Sequence, residues 1–123
     1  MAIRPLISVV DDDISVRESL PDLLRVSGFD AQAFASAEAY MASDCIDQTC
    51  CLVVDVSMPG MTGPDLHREL VLRKKDVPII FITANVNPTL RQHLIDQGAK
   101  DCLFKPFNGT ILIDAISGAL EST

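Results

Sequence analysis

No run of apolar residues in this sequence approaches the roughly 18 to 20 that a membrane span requires. The first residues also lack the layout of a secretory signal, a charged start followed by an apolar stretch and small residues. A soluble, cytoplasmic protein with no membrane partner is therefore expected. Positive charge is scarce as well: 10 Lys and Arg stand against 17 Asp and Glu, a formal net charge of −7. Phosphate contacts need a basic footprint, so direct nucleic-acid binding by this domain is not expected. The 4 cysteines, Cys45, Cys50, Cys51 and Cys102, follow neither a zinc-ribbon spacing nor a C-x-x-C redox pair. Cys50, Cys51 and Cys102 fall in apolar stretches and read as small buried hydrophobes. Internal repeats, low-complexity segments and linkers are missing too.

What is present is enough for one self-sufficient core. A length of 123 residues at 48% apolar composition suits a single globular domain, expected to span residues 1–123. Its organising stretch runs from Cys50 through Leu52, Val53 and Val54 to Asp55, then breaks at Met58-Pro59-Gly60. An apolar run bounded in this way reads as a strand buried on both faces, with Asp55 at its carboxyl end. A second run of the same design, Leu6 to Val10, ends in Asp11-Asp12-Asp13. If the two strands are parallel neighbours, their carboxylates crowd one edge of a sheet. Such crowding stabilises no fold, and a shared cation is expected there.

The remaining chain alternates in the same manner. A helix after Asp13 carries Ile14, Val16, Leu20, Leu23, Leu24 and Val26 up to Gly28, with Asp12 or Asp13 as its cap. Pro21 falls inside it and should kink it or open a turn. A short strand, Asp30 to Phe34, precedes a short helix capped by Ser36 with Glu38 in its first turn. The third helix opens near Pro64 and presents Leu66, Leu70 and Val71 on one face. Val77 to Ile82 forms a fourth strand that stops at Thr83-Ala84-Asn85. A helix from about Pro88 to Gln97, with Leu90, Leu94 and Ile95, stops at Gly98 in the left-handed conformation. Cys102 to Phe104 forms a fifth strand, which runs into Lys105-Pro106-Phe107. The last helix, near Thr110 to Leu120, is expected to bury Ile111, Leu112, Ala115, Ile116 and Ala119.

Five strands alternating with five helices imply a doubly wound parallel sheet with right-handed crossovers. The two available arrangements are the flavodoxin-like order 2-1-3-4-5 and a Rossmann half. No G-x-G-x-x-G follows the first strand, which removes the dinucleotide-binding reading and leaves the flavodoxin-like α/β fold. In such a sheet ligands bind outside the carboxyl ends of the strands. Those ends collect Asp11, Asp12, Asp55, Thr83 and Lys105.

The set suits phosphoryl transfer. Clustered acids hold a divalent cation, and Mg2+ is the natural choice because it takes hard oxygen ligands and shares them with phosphate. A carboxylate is a competent nucleophile toward a phosphoryl group. Asp55 is central and single, which favours it as nucleophile, whereas the adjacent Asp11-Asp12 pair suits metal holding. Lys105 would neutralise charge on the transferring oxygens, and the Thr83 hydroxyl would donate to one of them.

Val-Val-Asp-Asp, the stretch Leu-Val-Val-Asp-Val-Ser-Met-Pro-Gly-Met-Thr-Gly, Ile-Thr-Ala and Phe-Lys-Pro-Phe occur here in the order and spacing of a response-regulator receiver domain. The chain resembles the FixJ-type receivers most closely, over essentially its whole length. The resemblance implies that Asp55 accepts phosphate from a sensor histidine kinase. It also implies that Asp11, Asp12, Asp55 and the backbone carbonyl of Ser57 hold Mg2+, and that Thr83 and Lys105 read the phosphoryl group. It implies a cis Lys105-Pro106 bond, a path for attacking water flanked by Ser57 and Asn85, and an output domain or downstream partner. A monomer that dimerises through its helix-four face when phosphorylated is implied likewise. Two residues depart from the family pattern. Cys102 stands where the family usually has an aromatic that swings inward, which points to the Thr83–Pro88 loop as the moving part, and Pro21 lies in the helix that commonly docks the kinase.

Two other readings compete. Asp11-Asp12-Asp13-Ile14-Ser15 approximates the signature of haloacid-dehalogenase phosphatases, in which Asp11 would be the nucleophile, although the chain is short for the usual cap and lacks a late acidic pair. The other is an inert receiver-like binding module that has lost switching.

Overall fold

The computed structural model describes residues 4–121. Ten elements alternate along them: β1 (Leu6–Val10), α1 (Ile14–Val26), β2 (Asp30–Phe34), α2 (Ala37–Met41), β3 (Thr49–Asp55), α3 (Gly63–Leu72), β4 (Ile79–Thr83), α4 (Pro88–Asp96), β5 (Asp101–Phe104) and α5 (Gly109–Glu121). All strand pairs are parallel, in the order β2-β1-β3-β4-β5, the flavodoxin-like arrangement expected from the sequence.

Side chains alternate across each strand, and the alternation builds two cores. Ile7, Val9, Cys51, Val53, Ile80, Ile82 and Leu103 meet Leu20 and Leu24 of α1 and Leu112, Ile116 and Ala119 of α5. On the opposite face Val10, Leu52, Val54, Ile79, Phe81 and Cys102 meet Ala37 and Tyr40 of α2, Leu66 and Leu70 of α3, and Leu94 of α4. β3 contributes to both, so Val53, Val54 and Asp55 are buried whichever way they point. This double burial fixes where the strand ends, and with it the position of the acid at its tip. No helix among the described residues is long and apolar enough to cross a membrane.

Helix starts follow the polar residues that precede them. The Asp13 side chain accepts from the Ser15 amide at the head of α1, and Ser36 accepts from Ala39 at the head of α2. Thr62 and Asp65 form a reciprocal capping box on α3, and Asn87 followed by Pro88 opens α4. Gly98 adopts the left-handed conformation after α4, with φ of 113°.

Several details differ from the sequence-based expectations, each for a physical reason. Pro21 opens no turn in α1, which runs unbroken to Val26 with the proline ring buried beside Leu20 and Leu24. Burial of three apolar side chains, at about 1.5–3 kcal/mol for each large one, outweighs the roughly 3 kcal/mol that a mid-helix proline costs. Cys50 is exposed: Leu6 pairs with Thr49 but Ile7 pairs with Cys51, so Cys50 is the extra residue of a bulge and points outward. Strand β4 starts at Ile79 because Pro78 has no amide to give, although its carbonyl still accepts from Leu52 at 2.9 Å. Ile14, Val26, Val71 and Ile111 are exposed. The buried stripes run Leu20–Leu24, Leu66–Leu70 and Leu112–Ile116, one turn apart, and Val71 and Ile111 lie one residue, about 100°, off them.

Gly63 packs where a side chain cannot go, since a Cβ there would stand 2.5 Å from the Asp55 carbonyl oxygen and 3.0 Å from the Phe81 ring. Gly118, on the exposed side of α5, has no atom within 4 Å of that position. Gly63→Ala is expected to destabilise the domain by about 1–3 kcal/mol. Gly118→Ala should stabilise it by about 0.5–1 kcal/mol. Thermal unfolding followed by circular dichroism checks both signs.

Candidate phosphoacceptor site

The carboxyl ends of β1 and β3 lie side by side, with Val10 opposite Val54. The next residues along each strand, Asp11 and Asp55, therefore emerge at the same edge. One carboxylate oxygen from each of Asp11, Asp12 and Asp55 lies within 4.8 Å of the others. Asp11 is wholly buried and Asp55 is 7% exposed, whereas Asp12 faces solvent.

Lys105 reaches this group from the end of β5. Its Nζ donates to Asp11 Oδ2 at 2.8 Å and stands 3.7 Å from Asp55 Oδ1. The other Asp11 oxygen accepts from the Asp13 amide at 2.9 Å. Asp11 thus accepts a hydrogen bond at each oxygen, while Asp55 accepts from the Ser57 amide and stands farther from the Lys105 ammonium. Burial of Lys105 opposes its charge, but Asp11, Asp55 and Asp13 outweigh that effect and hold its pKa above the usual lysine value. The Lys105-Pro106 bond is cis, as the resemblance implied.

Thr83 terminates β4 and is buried. Its carbonyl accepts from the Lys105 amide at 2.7 Å, which ties the ends of β4 and β5 together. Its hydroxyl accepts from the Asn85 amide at 3.0 Å, which leaves the hydroxyl proton available to an incoming oxygen. Ser57, two residues past Asp55, is exposed at the edge of the site. Cys102 is buried in the core beneath α4. Arg91 of α4 donates to the Cys102 carbonyl at 3.2 Å and to Asp101 at 2.8 Å, stitching α4 to β5 beside the substituted aromatic position.

Some contributors carried no signal in the sequence. The Arg17 guanidinium donates to the Asp11 carbonyl at 3.0 Å, and the Asp11 amide donates to the Phe34 carbonyl at 3.1 Å. Both fix the acidic turn, the first locally across the start of α1 and the second only once β1 and β2 are paired.

Three acids this close resist simultaneous ionisation. Burial, followed by the charge of Asp11, pushes the Asp55 carboxyl up to about 6. Lys105 and the Ser57 amide pull it back, and Asp12 adds to the rise. Hard oxygen donors with surplus negative charge fit a small divalent cation such as Mg2+. The phosphatase reading, with Asp11 as nucleophile, is not favoured: Asp11 is the more deeply buried of the two acids and holds the closer ion pair with Lys105.

A parallel five-stranded sheet with acids, a hydroxyl and an ammonium at its carboxyl edge defines the class of protein. A family model described as the response regulator receiver domain matches residues 7–117, and the chain belongs to that family. Among relatives, it is 41% identical over 118 residues to nodulation protein W of Bradyrhizobium diazoefficiens, covering 96% of this chain and 52% of that protein. It is 36% identical to the transcriptional regulatory protein FixJ of Rhizobium meliloti, covering 94% of this chain and 56% of that one. The crystal structure of FixJ-N superposes with a TM-score of 0.87 at 34% identity, covering 99% of this chain and 98% of that one. The response regulator StyR gives a TM-score of 0.88 at 39% identity, covering 98% and 61%. The chain spans about half the length of the curated relatives it matches. It is the receiver domain of a two-component response regulator, a family that generally uses Mg2+.

A carboxyl whose pKa is raised on folding costs stability wherever it is ionised. That cost is absent below its unfolded value near 4 and complete above about 6. In chelator at pH 7, Asp55→Asn should therefore stabilise the domain by about 1–2 kcal/mol. The gain should fade as pH falls from about 6 to about 4. Denaturant unfolding of both forms across that range is the measurement.

Proposed function

We propose that this domain accepts a phosphoryl group on Asp55 from a sensor histidine kinase and thereby alters its affinity for an output domain or downstream protein. One observation carries the reading: a single lysine ammonium lies 2.8 Å from one buried acid, Asp11, and 3.7 Å from another, Asp55, so that Asp55 is the less tightly paired of the two. A carboxylate oxygen of Asp55 attacks phosphorus while the bond from phosphorus to the histidine nitrogen breaks, the nitrogen keeping the electron pair. Lys105 then shifts its ion pair toward the phosphoryl oxygens, and the Thr83 hydroxyl donates to another of them.

Asp11, Asp12, Asp55 and the Ser57 carbonyl would hold Mg2+, which supplies neutralising charge to the phosphoryl oxygens. The domain in this way assists its own phosphorylation and, with water approaching between Ser57 and Asn85, its own dephosphorylation. With Cys102 too small for an aromatic swing, the movement of Thr83 passes through the 84–87 loop to α4, held to β5 by Arg91. Phosphorylation then favours dimers through the α4 face of an otherwise monomeric domain. Transcriptional regulation is the role suggested by the relatives, some of them transcriptional regulatory proteins about twice this length; in this reading the domain works in the cytoplasm and a separate domain binds nucleic acid. This domain makes no nucleic-acid contact of its own.

Acetyl phosphate with Mg2+ should add one phosphoryl group to the wild-type domain, visible as intact mass, and none to Asp55→Asn. Lys105→Ala should slow labelling by about 100-fold. Labelling that survives in Asp55→Asn but is lost in Asp11→Asn would restore the phosphatase reading. A wild type that takes neither label nor Mg2+ is the inert module.

A further inference from the structure

The connection between β2 and α2 touches both halves of the acidic site. At its start the Phe34 carbonyl accepts the Asp11 amide at 3.1 Å. At its end Glu38, set in the first turn of α2 by the Ser36 cap, accepts the Met61 amide through Oε2 at 3.1 Å. Met61 closes the loop that begins at Asp55 and carries Ser57.

That loop has few other ties. Its root is fixed by the Val56 amide on Ile82 and the Gly63 amide on the Val56 carbonyl, and Met58 is buried in the core beneath it. Between Met58 and Thr62 the sequence offers Pro59, which has no amide, and Gly60, which has no side chain. Gly60 adopts φ of 72°, and a Cβ there would stand 2.5 Å from Glu38 Oε2. The carboxylate therefore lies directly against the loop backbone, and glycine is what admits it. Two separate features, a bare turn and an accepted amide, converge on one side chain from another element.

We infer that Glu38 is a positioning residue for phosphoacceptor chemistry: it clamps the β3–α3 loop so that the Ser57 carbonyl faces the carboxylates of Asp11, Asp12 and Asp55. The inference rests on the proposed function for its chemical meaning, whereas the clamp itself is a property of the metal-free fold. Glu38 touches neither metal nor phosphoryl group and acts only through the backbone it holds. An acceptor oxygen is required and a negative charge is not, so glutamine at this position preserves the clamp.

Amide hydrogen exchange in chelator and Mg2+ affinity by calorimetry, on wild type, Glu38→Ala and Glu38→Gln, decide the matter. Glu38→Ala should speed exchange at Ser57, Gly60 and Met61 and weaken Mg2+ binding roughly five-fold, the worth of one hydrogen bond. Glu38→Gln should restore both, while unfolding temperatures in chelator stay close together. Unchanged exchange and affinity in Glu38→Ala would overturn the clamp, as would a Glu38→Gln variant as impaired as alanine, since charge would then be what matters. A wild-type domain that binds no Mg2+ defeats the proposed function instead, and the exchange arm still decides whether Glu38 holds the loop.

Discussion

Burial of Asp55 together with its repulsion from Asp11 and Asp12, one carboxylate oxygen of each lying within 4.8 Å of the others at the end of a buried strand pair, is the constraint on which this structure turns. Two unit charges at about 4 Å repel by roughly 4 kcal/mol near a protein surface, a large fraction of a small domain's whole stability. Lys105 offsets part of that, but its shorter contact is with Asp11, so Asp55 is left the less compensated of the two buried acids. The same arrangement that strains the resting fold gives Asp55 an affinity for whatever neutralises it. A divalent cation and the phosphoryl group of the proposed function are the two partners with the right chemistry.

Repulsion persists only because the scaffold is stiff. Both faces of β3 are packed, against α1 and α5 on one side and α2, α3 and α4 on the other. The acids cannot move apart without pulling Val53 or Val54 from a core, at about 1.5–3 kcal/mol each. Less packing holds the loops beyond the strand ends: the 56–62 loop is pinned by Met58, Gly63 and Glu38, whereas the 84–87 loop is exposed throughout. Under the proposed function, this division would let one site both accept a group and report it. Thr83 leads directly into the exposed 84–87 segment, and Arg91 ties the α4 that follows to β5.

The sequence was legible where chemistry and topology coincide. Apolar strands ending on Asp11, Asp55, Thr83 and Lys105 place those residues at one edge as soon as the sheet is parallel, because ligand sites in such sheets lie at carboxyl ends. The helix cap at Ser36 was equally readable, since a cap acts over a few residues. Phase within a helix was harder: Val71 and Ile111 adjoin the buried stripe in sequence yet point about 100° away from it. Cys50 escaped for a different reason, a bulge set by its pairing with β1 rather than by local pattern. Glu38 could be seen as a first-turn acid but not as a clamp, because its partner lies 23 residues away and exists only once β2, α2 and β3 are assembled. The Asp11 amide on the Phe34 carbonyl was hidden in the same way.

If repulsion among the acids governs the site, neutralising the cluster must stabilise the fold. Mg2+ titrated into the metal-free wild-type domain should raise its unfolding temperature in a saturable way, with about 1.4 kcal/mol gained at ten times the dissociation constant. The response should begin at millimolar concentrations or below and exceed that to a monovalent salt of equal ionic strength. An unfolding temperature that tracks ionic strength alone, with no separate response to Mg2+, would contradict it.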